Sequence, residues 1–352
     1  MKEIPSVKGR GAQHNSQNKF LEHRITYDDS FAFGEENNFR NSKTKYLIEH
    51  PKKVVNDMVS PDVPNGKSVN PYQGCEHGCI YCYARNTHEY YGYSAGLEFE
   101  QNIIVKKTAP ELLEKEFLKK NWKPQTILFS GNTDCYQPAE KEVQLTRKML
   151  QICLKYRNPA AIITKNALVL RDMDILEEMA KHRLIKVVLS ITSLNENLRR
   201  KLEPRTVSGI KRLAVLEKLS QKGIPSGVNV APIIPGLNDH EVPEIVKASA
   251  EHGALFASYT IVRLNGSIGD LFEGWIYQHF PNKAEKVLNQ IKEMHGGKLN
   301  DSQFGRRMRG EGKYAEHIKQ LFQVSVMRHL KDREVPELNF DAFQKPGQLS
   351  LF

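Results

Sequence analysis

The chain has 352 residues, with 51 Lys and Arg against 41 Asp and Glu, a formal charge of +10. That balance favours a polyanionic partner without naming one. No run approaches 18 consecutive apolar residues, which excludes a helical membrane span. The opening Met1-Lys-Glu-Ile-Pro-Ser lacks the apolar stretch of a secretory signal. Five cysteines, three of them clustered, suit metal ligation in a reducing cytoplasm better than a disulfide framework.

Residues 1–60 show no sustained period, and Gly9-Arg-Gly-Ala12 with the polar run His14–Lys19 reads as a loop or arm. This N-terminal extension is expected to be flexible or draped. The alternative is an arm that brings Arg10 or Arg24 to a groove. Within it, Lys52–Asn56 could form a short strand.

A regular rhythm then sets in. Strand-like runs at Ser68–Tyr72, Thr126–Ser130, Ala160–Thr164, Lys186–Ile191, Ser226–Ala231 and Ser258–Val262 alternate with amphipathic stretches. The helices fall at Pro110–Lys120, Ala139–Tyr156, Asp172–Lys181, Gly209–Lys222 and Glu241–His252. Repeated βα units of this kind give an α/β fold with the reactive groups in the loops after the strands. Six strands are too few for a closed eight-stranded barrel. An open partial barrel or a doubly wound sheet remains.

The loop after the first strand holds Cys75, Cys79 and Cys82 in the run Gly74-Cys-Glu-His-Gly-Cys-Ile-Tyr-Cys82, a C-x3-C-x2-C spacing. Three thiolates leave one iron of a [4Fe–4S] cubane open to a small molecule. Two other readings stand beside this: a Cys3His zinc site including His77, and ordinary buried thiols. His77 is otherwise expected on the solvent side of the loop. The spacing, with Tyr81 just before the last cysteine, resembles the signature of the radical SAM superfamily.

The resemblance implies a partial (βα)6 radical SAM barrel over residues 61–282. It also implies S-adenosylmethionine (SAM) chelated by the unique iron and split reductively to a 5′-deoxyadenosyl radical, which requires a reducing electron donor. Further site residues follow by position. Gly131-Asn132-Thr133 stands where the family places the motif facing the SAM amino group, although the same residues could cap the next helix. Lys165, ending the third strand, resembles the lysine that meets the SAM carboxylate in spore photoproduct lyase; a solvated strand-end lysine is the alternative. Ser190 and Thr192 point polar groups toward the same mouth, and Asn229 belongs to the next strand end. Ile234 and Pro235, in Ile-Pro-Gly-Leu-Asn-Asp239, resemble the loop that lies against adenine. Arg205, in Leu-Glu-Pro-Arg-Thr206, could touch substrate or cofactor, or pair with Glu203. The sixth strand carries Arg263 to the mouth if the register holds. Cys135 and Tyr136 are candidate hydrogen-atom donors. Cys153 lies in a helical pattern and reads as core.

From Lys283 to Arg333 there are twelve Lys or Arg against six Asp or Glu, so more than half of the net charge lies there. Residues 283–345 read as a basic helical C-terminal region with helices at Lys283–Met294 and Tyr314–Leu330. Arg306, Arg307, Arg309 and Lys313 could line a phosphate-binding surface or a solvated one. The tail 346–352 reads as mobile, and its Gln-Leu-Ser-Leu-Phe resembles peptides that dock into bacterial sliding clamps. The stretches Asn-Thr-Asp-Cys-Tyr-Gln-Pro138 and Ile-Pro-Gly-Leu-Asn-Asp239 are similar to the spore-photoproduct-lyase-like, or DNA repair photolyase-like, group. The expectation is hydrogen abstraction from a nucleic acid, with no membrane partner. Modification of a protein, peptide or metabolite is the alternative, and a non-catalytic zinc-dependent nucleic-acid-binding protein is the reading from another class.

Overall fold

The structure, a computed structural model, describes residues 7–20, 44–63 and 66–345. Ten strands run in chain order: β1 (Lys45–Glu49), β2 (Val55–Asp57), β3 (Lys67–Val69), β4 (Tyr72–Gln73), β5 (Asn102–Lys106), β6 (Ile127–Phe129), β7 (Ala160–Thr164), β8 (Ile185–Ser190), β9 (Ser226–Ile233) and β10 (Phe256–Ile261). Seven of them form one sheet in the order β10-β9-β8-β7-β6-β3-β2. Every neighbouring pair from β3 to β10 is parallel, and β2 is antiparallel at one edge. Five of these parallel strands match the apolar runs to within two residues; the run read at Ser68–Tyr72 is divided between β3 and β4, which lie in different sheets. The sheet stays open, as a partial barrel does.

Burial alternates along the parallel strands, with Ala160, Ile162, Val187 and Leu189 fully buried and the residues between them partly so. The buried positions share one core with Leu176, Met179, Leu213, Leu216, Leu219, Ile245 and Val246 from the flanking helices. Each fully buried side chain of this size contributes roughly 1.5–3 kcal/mol. The sheet and its helices are therefore held mainly by non-directional apolar contact. The helix starts are set by capping: Ser208 accepts from the Lys211 amide at 3.3 Å to open Gly209–Gln221, and Asn195 accepts from Asn197 and Leu198 to open Glu196–Leu202.

The structure departs from the sequence reading at two points. The stretch 139–156 is two helices, Glu140–Val143 and Leu145–Lys155, broken at Gln144, whose φ is 58°. The buried Glu140 carboxylate causes the break by accepting from the amides of Thr146 (3.0 Å) and Arg147 (3.3 Å), which serves as the cap of the second helix. A second sheet, β1-β5-β4, lies outside the βα rhythm. Of the two forms expected for the N-terminal extension, its described part takes the draped one. Arg10, Gly11 and Ala12 are buried, and residues 7–20 lie against the segment 85–101.

The unclosed sheet has two rims. At β2, Asp57 meets Lys67 and Lys53. At β10, the Ile261 amide donates to the Met308 carbonyl at 3.0 Å, and the Arg309 guanidinium donates to the Tyr259 carbonyl at 2.9 Å while stacking on its ring. The C-terminal helix Gly312–His329 packs beyond, through Ile318 and Phe322. Among the described residues, no helix is long and apolar enough to cross a membrane.

Candidate active site

The cysteine loop leaves β4 and is fixed from every side by hydrogen bonds. Gly74 and Gly78 adopt φ of 77° and 68°, the left-handed region that glycine enters without penalty. The Cys75 amide donates to the Phe99 carbonyl at 2.9 Å, and the Ile80 amide to the Leu202 carbonyl at 3.1 Å. Gln137 holds the loop on both sides of Cys75: its side-chain nitrogen donates to the Gly74 carbonyl (3.0 Å), and its oxygen accepts from the Glu76 amide (3.1 Å). Arg85 is fully buried and donates to the carbonyls of Cys79, Ala95 and Gly96 and to the Glu100 carboxylate.

The three thiols are mutually close and nearly enclosed. Burial first, and then the charges of Asp134, Cys79 and Cys82, push the Cys75 thiol well above the ordinary range. Burial also raises Cys79 and Cys82, while Lys165 works against the rise at both and Arg85 at Cys82. Three thiolates here need a cationic core between them, and an iron–sulfur cubane supplies one. Single-metal chemistry fits less well. A Cys3His zinc site would need His77 as its fourth ligand. His77 is engaged elsewhere. It is buried rather than on the solvent side, with Nδ1 at 3.4 Å from the Asp134 carboxylate and Nε2 at 3.2 Å from the Asn166 amide.

Around the thiols, the loops after β6, β7 and β8 bring several expected residues together. The Asn132 backbone amide donates to the Asn70 side-chain oxygen (2.7 Å), and its side-chain nitrogen donates to Gln73 (2.8 Å) and Thr87 (3.1 Å). The Gly131 carbonyl accepts from the Tyr83 hydroxyl at 2.7 Å, and the Thr133 hydroxyl donates to the Tyr72 carbonyl at 2.7 Å. Lys165 lies over the Tyr81 ring at 5.9 Å and forms no ion pair among the described residues. Burial works to discharge it, but Glu203 and Cys79 outweigh burial and raise its pKa. An ammonium that stays charged in a largely enclosed site is suited to an incoming anion. Asp134 braces this corner by accepting from the Lys165 amide (2.9 Å) and the Thr164 hydroxyl (2.7 Å). Burial would raise its pKa, yet His77 and these donors hold it at about 2.

Glu203 organises the opposite wall. It is fully buried and accepts from Arg212, the Tyr81 hydroxyl, Thr192 (2.5 Å) and Thr206 (3.2 Å). Burial opposes its charge, but Arg212 and Lys165 prevail and hold it at about 2. The sequence left open a pairing of Arg205 with Glu203. Arg212 takes that place, and Arg205 faces Glu76 at 3.6 Å. Arg212 also donates to the Ser190 carbonyl at 2.7 Å. Asn229 accepts from Ser258 at 3.1 Å. The Ile234 amide donates to Asn238 at 2.6 Å and its carbonyl accepts within the same turn, so its backbone is committed inside the loop beside buried Pro235. Arg263 reaches the mouth and lies over the Tyr83 ring at 5.8 Å.

Other expected residues are taken up in the core or in other pairs. Cys135 is fully buried in the main core, and Tyr136 donates its hydroxyl to Asp172 at 3.0 Å. Cys153 is core as expected. Arg306 pairs with Asp301 and Glu311, Arg307 with Asp62, and Arg309 with the β10 rim, so three of the four basic residues are engaged internally; Lys313 is exposed. Arg24 and the tail 346–352, with its clamp-like peptide, lie outside the described residues. Sequence reading missed Arg85, Glu100 and Arg212. Their partners lie up to 90 positions away, and no spacing signals them.

The comparisons agree with this geometry. Residues 69–248, just over half of the chain, match the model of the radical SAM superfamily. An uncharacterized protein of Mycobacterium tuberculosis (strain ATCC 25618 / H37Rv) is 30% identical over 235 residues, covering 66% of this chain and 68% of that protein. Another from Methanocaldococcus jannaschii is 32% identical over 251 residues, covering 71% and 89%. Among solved structures, a variant of spore photoproduct lyase with bound AdoMet and dinucleoside spore photoproduct superposes with a TM-score of 0.62 at 18% identity. The match covers 85% of this chain and 84% of that one. A second, complexed with dinucleoside spore photoproduct, gives 0.63 at 17% identity and the same coverage. The fold is shared with these lyases, and the chain belongs to the radical SAM superfamily of enzymes, which work with a [4Fe–4S] cluster and SAM.

Proposed function

We propose that the enzyme abstracts hydrogen from a nucleotide-bearing substrate, DNA or RNA, bound over the cysteine loop. The observation that carries this reading is the group of rings and guanidinium ions at the mouth. Tyr83, directly after Cys82, is 42% exposed and lies under Arg263; Phe304, 52% exposed, lies under Arg307 at 4.4 Å. Arg263 and Arg307 are close enough for each to act on the other's charge, with Asp62 between them. Exposed rings beside guanidinium groups suit stacked bases and their phosphates. The dinucleoside bound by the lyases of the same fold supports the same substrate class.

In this reading Cys75, Cys79 and Cys82 hold the cluster, and the Lys165 ammonium receives the SAM carboxylate. The Gly131-Asn132-Thr133 segment stands beside the SAM amino group. Glu203 fixes Tyr81, and Ser190, Asn229, Ile234 and Pro235 complete the cofactor wall. Bound together, the cluster and SAM supply hydrogen abstraction by a 5′-deoxyadenosyl radical. Cys135 and Tyr136 keep no part in it, since one is sealed in the core and the other is bonded to Asp172.

Anaerobic enzyme given dithionite, SAM and deuterated oligonucleotide is expected to form 5′-deoxyadenosine carrying deuterium, and Cys79→Ala to form none. Tyr83→Ala should weaken oligonucleotide binding by about 1–3 kcal/mol with the cluster spectrum intact. Deuterium-free product under these conditions would discard the nucleic-acid reading. It would favour a peptide or metabolite substrate, the second reading, which the internal pairing of Arg306 and Arg309 supports.

A further inference from the structure

We infer that the N-terminal segment around Arg10-Gly-Ala12 is a strap that positions the cluster-binding loop. It rests on the assignment of Cys75, Cys79 and Cys82 to the cluster and is independent of the substrate. The strap grips both halves of the loop. On one side, the amides of Gly11 and Ala12 donate to the buried Glu100 carboxylate at 3.0 and 2.8 Å. Glu100 in turn holds Arg85, and the Arg85 Nε donates to the Cys79 carbonyl at 2.9 Å. On the other side, Arg10 donates to the Glu100 carbonyl (2.5 Å) and to Thr44 (3.2 Å), and Thr44 donates to Glu76, next to Cys75 (2.8 Å). Tyr46 and Arg205 also face Glu76.

Contact at the centre is too close for a side chain. A Cβ on Gly11 would overlap the Gly78 carbonyl, midway along the C-x3-C-x2-C run, and one on Gly78 would press on the Glu100 carboxylate at 2.7 Å. The strap continues past the site, with the His14 carbonyl and Asn15 side chain receiving the Leu97 and Glu98 amides, and Asn18 donating to the carbonyls of Glu89 and Tyr93. It thus ties down the peptide groups that surround the cysteines, and peptide dipoles beside a cluster set its potential and its access to solvent.

The test compares wild type with Gly11→Ala and Glu100→Gln, all full-length and reconstituted anaerobically. Gly11→Ala lifts the strap without altering a residue of the loop. Glu100→Gln keeps the shape and removes the charge that joins strap to Arg85. Iron and sulfide per chain, the electron paramagnetic resonance spectrum of the reduced cluster, and its rate of loss in air are read, with circular dichroism of the cluster-free chains as the fold control. The expected result is native circular dichroism in both variants, a shifted resonance spectrum, and loss of cluster in air about tenfold faster than wild type. Wild-type spectra and loss rates in both variants would overturn the inference. So would unfolding of the cluster-free Gly11→Ala chain, which would make the strap part of the fold instead. Failure of the wild-type chain itself to take up iron would instead remove the cysteine assignment.

Discussion

The six βα units and the cysteine-loop region, residues 70–106 with the strap, are built on different principles. The first is a layered apolar core, in which Ile162, Val187, Leu216 and Ile245 repeat with the period of their elements. The second has little period. It turns on a 3-10 helix at Tyr83–Tyr91, a five-residue helix at Leu97–Gln101, the left-handed glycines Gly9, Gly74, Gly78 and Gly92, and a fully buried Arg85–Glu100 pair. Apolar contact has no direction and tolerates small shifts. Buried charges and backbone hydrogen bonds are directional, and removing one partner is costly. A region that must hold three thiols in fixed relation gains more from the second kind of bonding.

Breaking the directional region should have the largest effect. Arg85→Met leaves Glu100 charged and buried with only the strap amides as partners, and should lower unfolding stability by about 3–5 kcal/mol, read by urea titration of the cluster-free chain. A loss no larger than that of an exposed substitution would show that the pair contributes little. Breaking the apolar region gives a somewhat smaller and separable loss. Leu216→Ala, in the fully buried face of its helix, should lower stability by about 2–5 kcal/mol while the reduced cluster keeps its resonance spectrum. A changed spectrum would show that the two regions are coupled.

Acid sharpens the contrast least in size. His88 stacks on Tyr93 and meets Phe99 edge-on behind Gly74. Burial, chiefly, lowers its pKa from 6.5 to about 4. The unfolded chain therefore takes up this proton first as pH falls. The stabilisation is complete above about pH 6.5, declines below it, and by about pH 4 is smaller by up to about 3 kcal/mol. His88→Phe should flatten that slope between pH 7 and 4, and an unchanged slope would place the titration elsewhere.

The same contrast decides what could be read in advance. The six parallel strands were legible because periodic burial leaves a periodic sequence. The second sheet was not, since β4 has two residues and β1 is mostly exposed. At the site, the cysteines show by spacing and Lys165 by ending an apolar strand. Arg85, Glu100 and Gly11 show by neither. Their meaning lies in one another, across 15 and 89 positions of chain, and a polar residue in a loop looks the same whether it is solvated or fully buried. The basic cluster at 306–313 was legible only in part: its charge was plain, and its internal partners Asp62, Asp301 and Glu311 were not.

The unclosed sheet has a consequence for the chain before its cofactors arrive. An open row of amides and carbonyls invites a neighbouring molecule to add its own strand. Here one rim is three residues long and flanked by charges, and the other is occupied by Met308 and Arg309. The basic segment thus leaves the β10 rim fewer free backbone groups for another chain to pair with, through contacts that involve neither iron nor SAM.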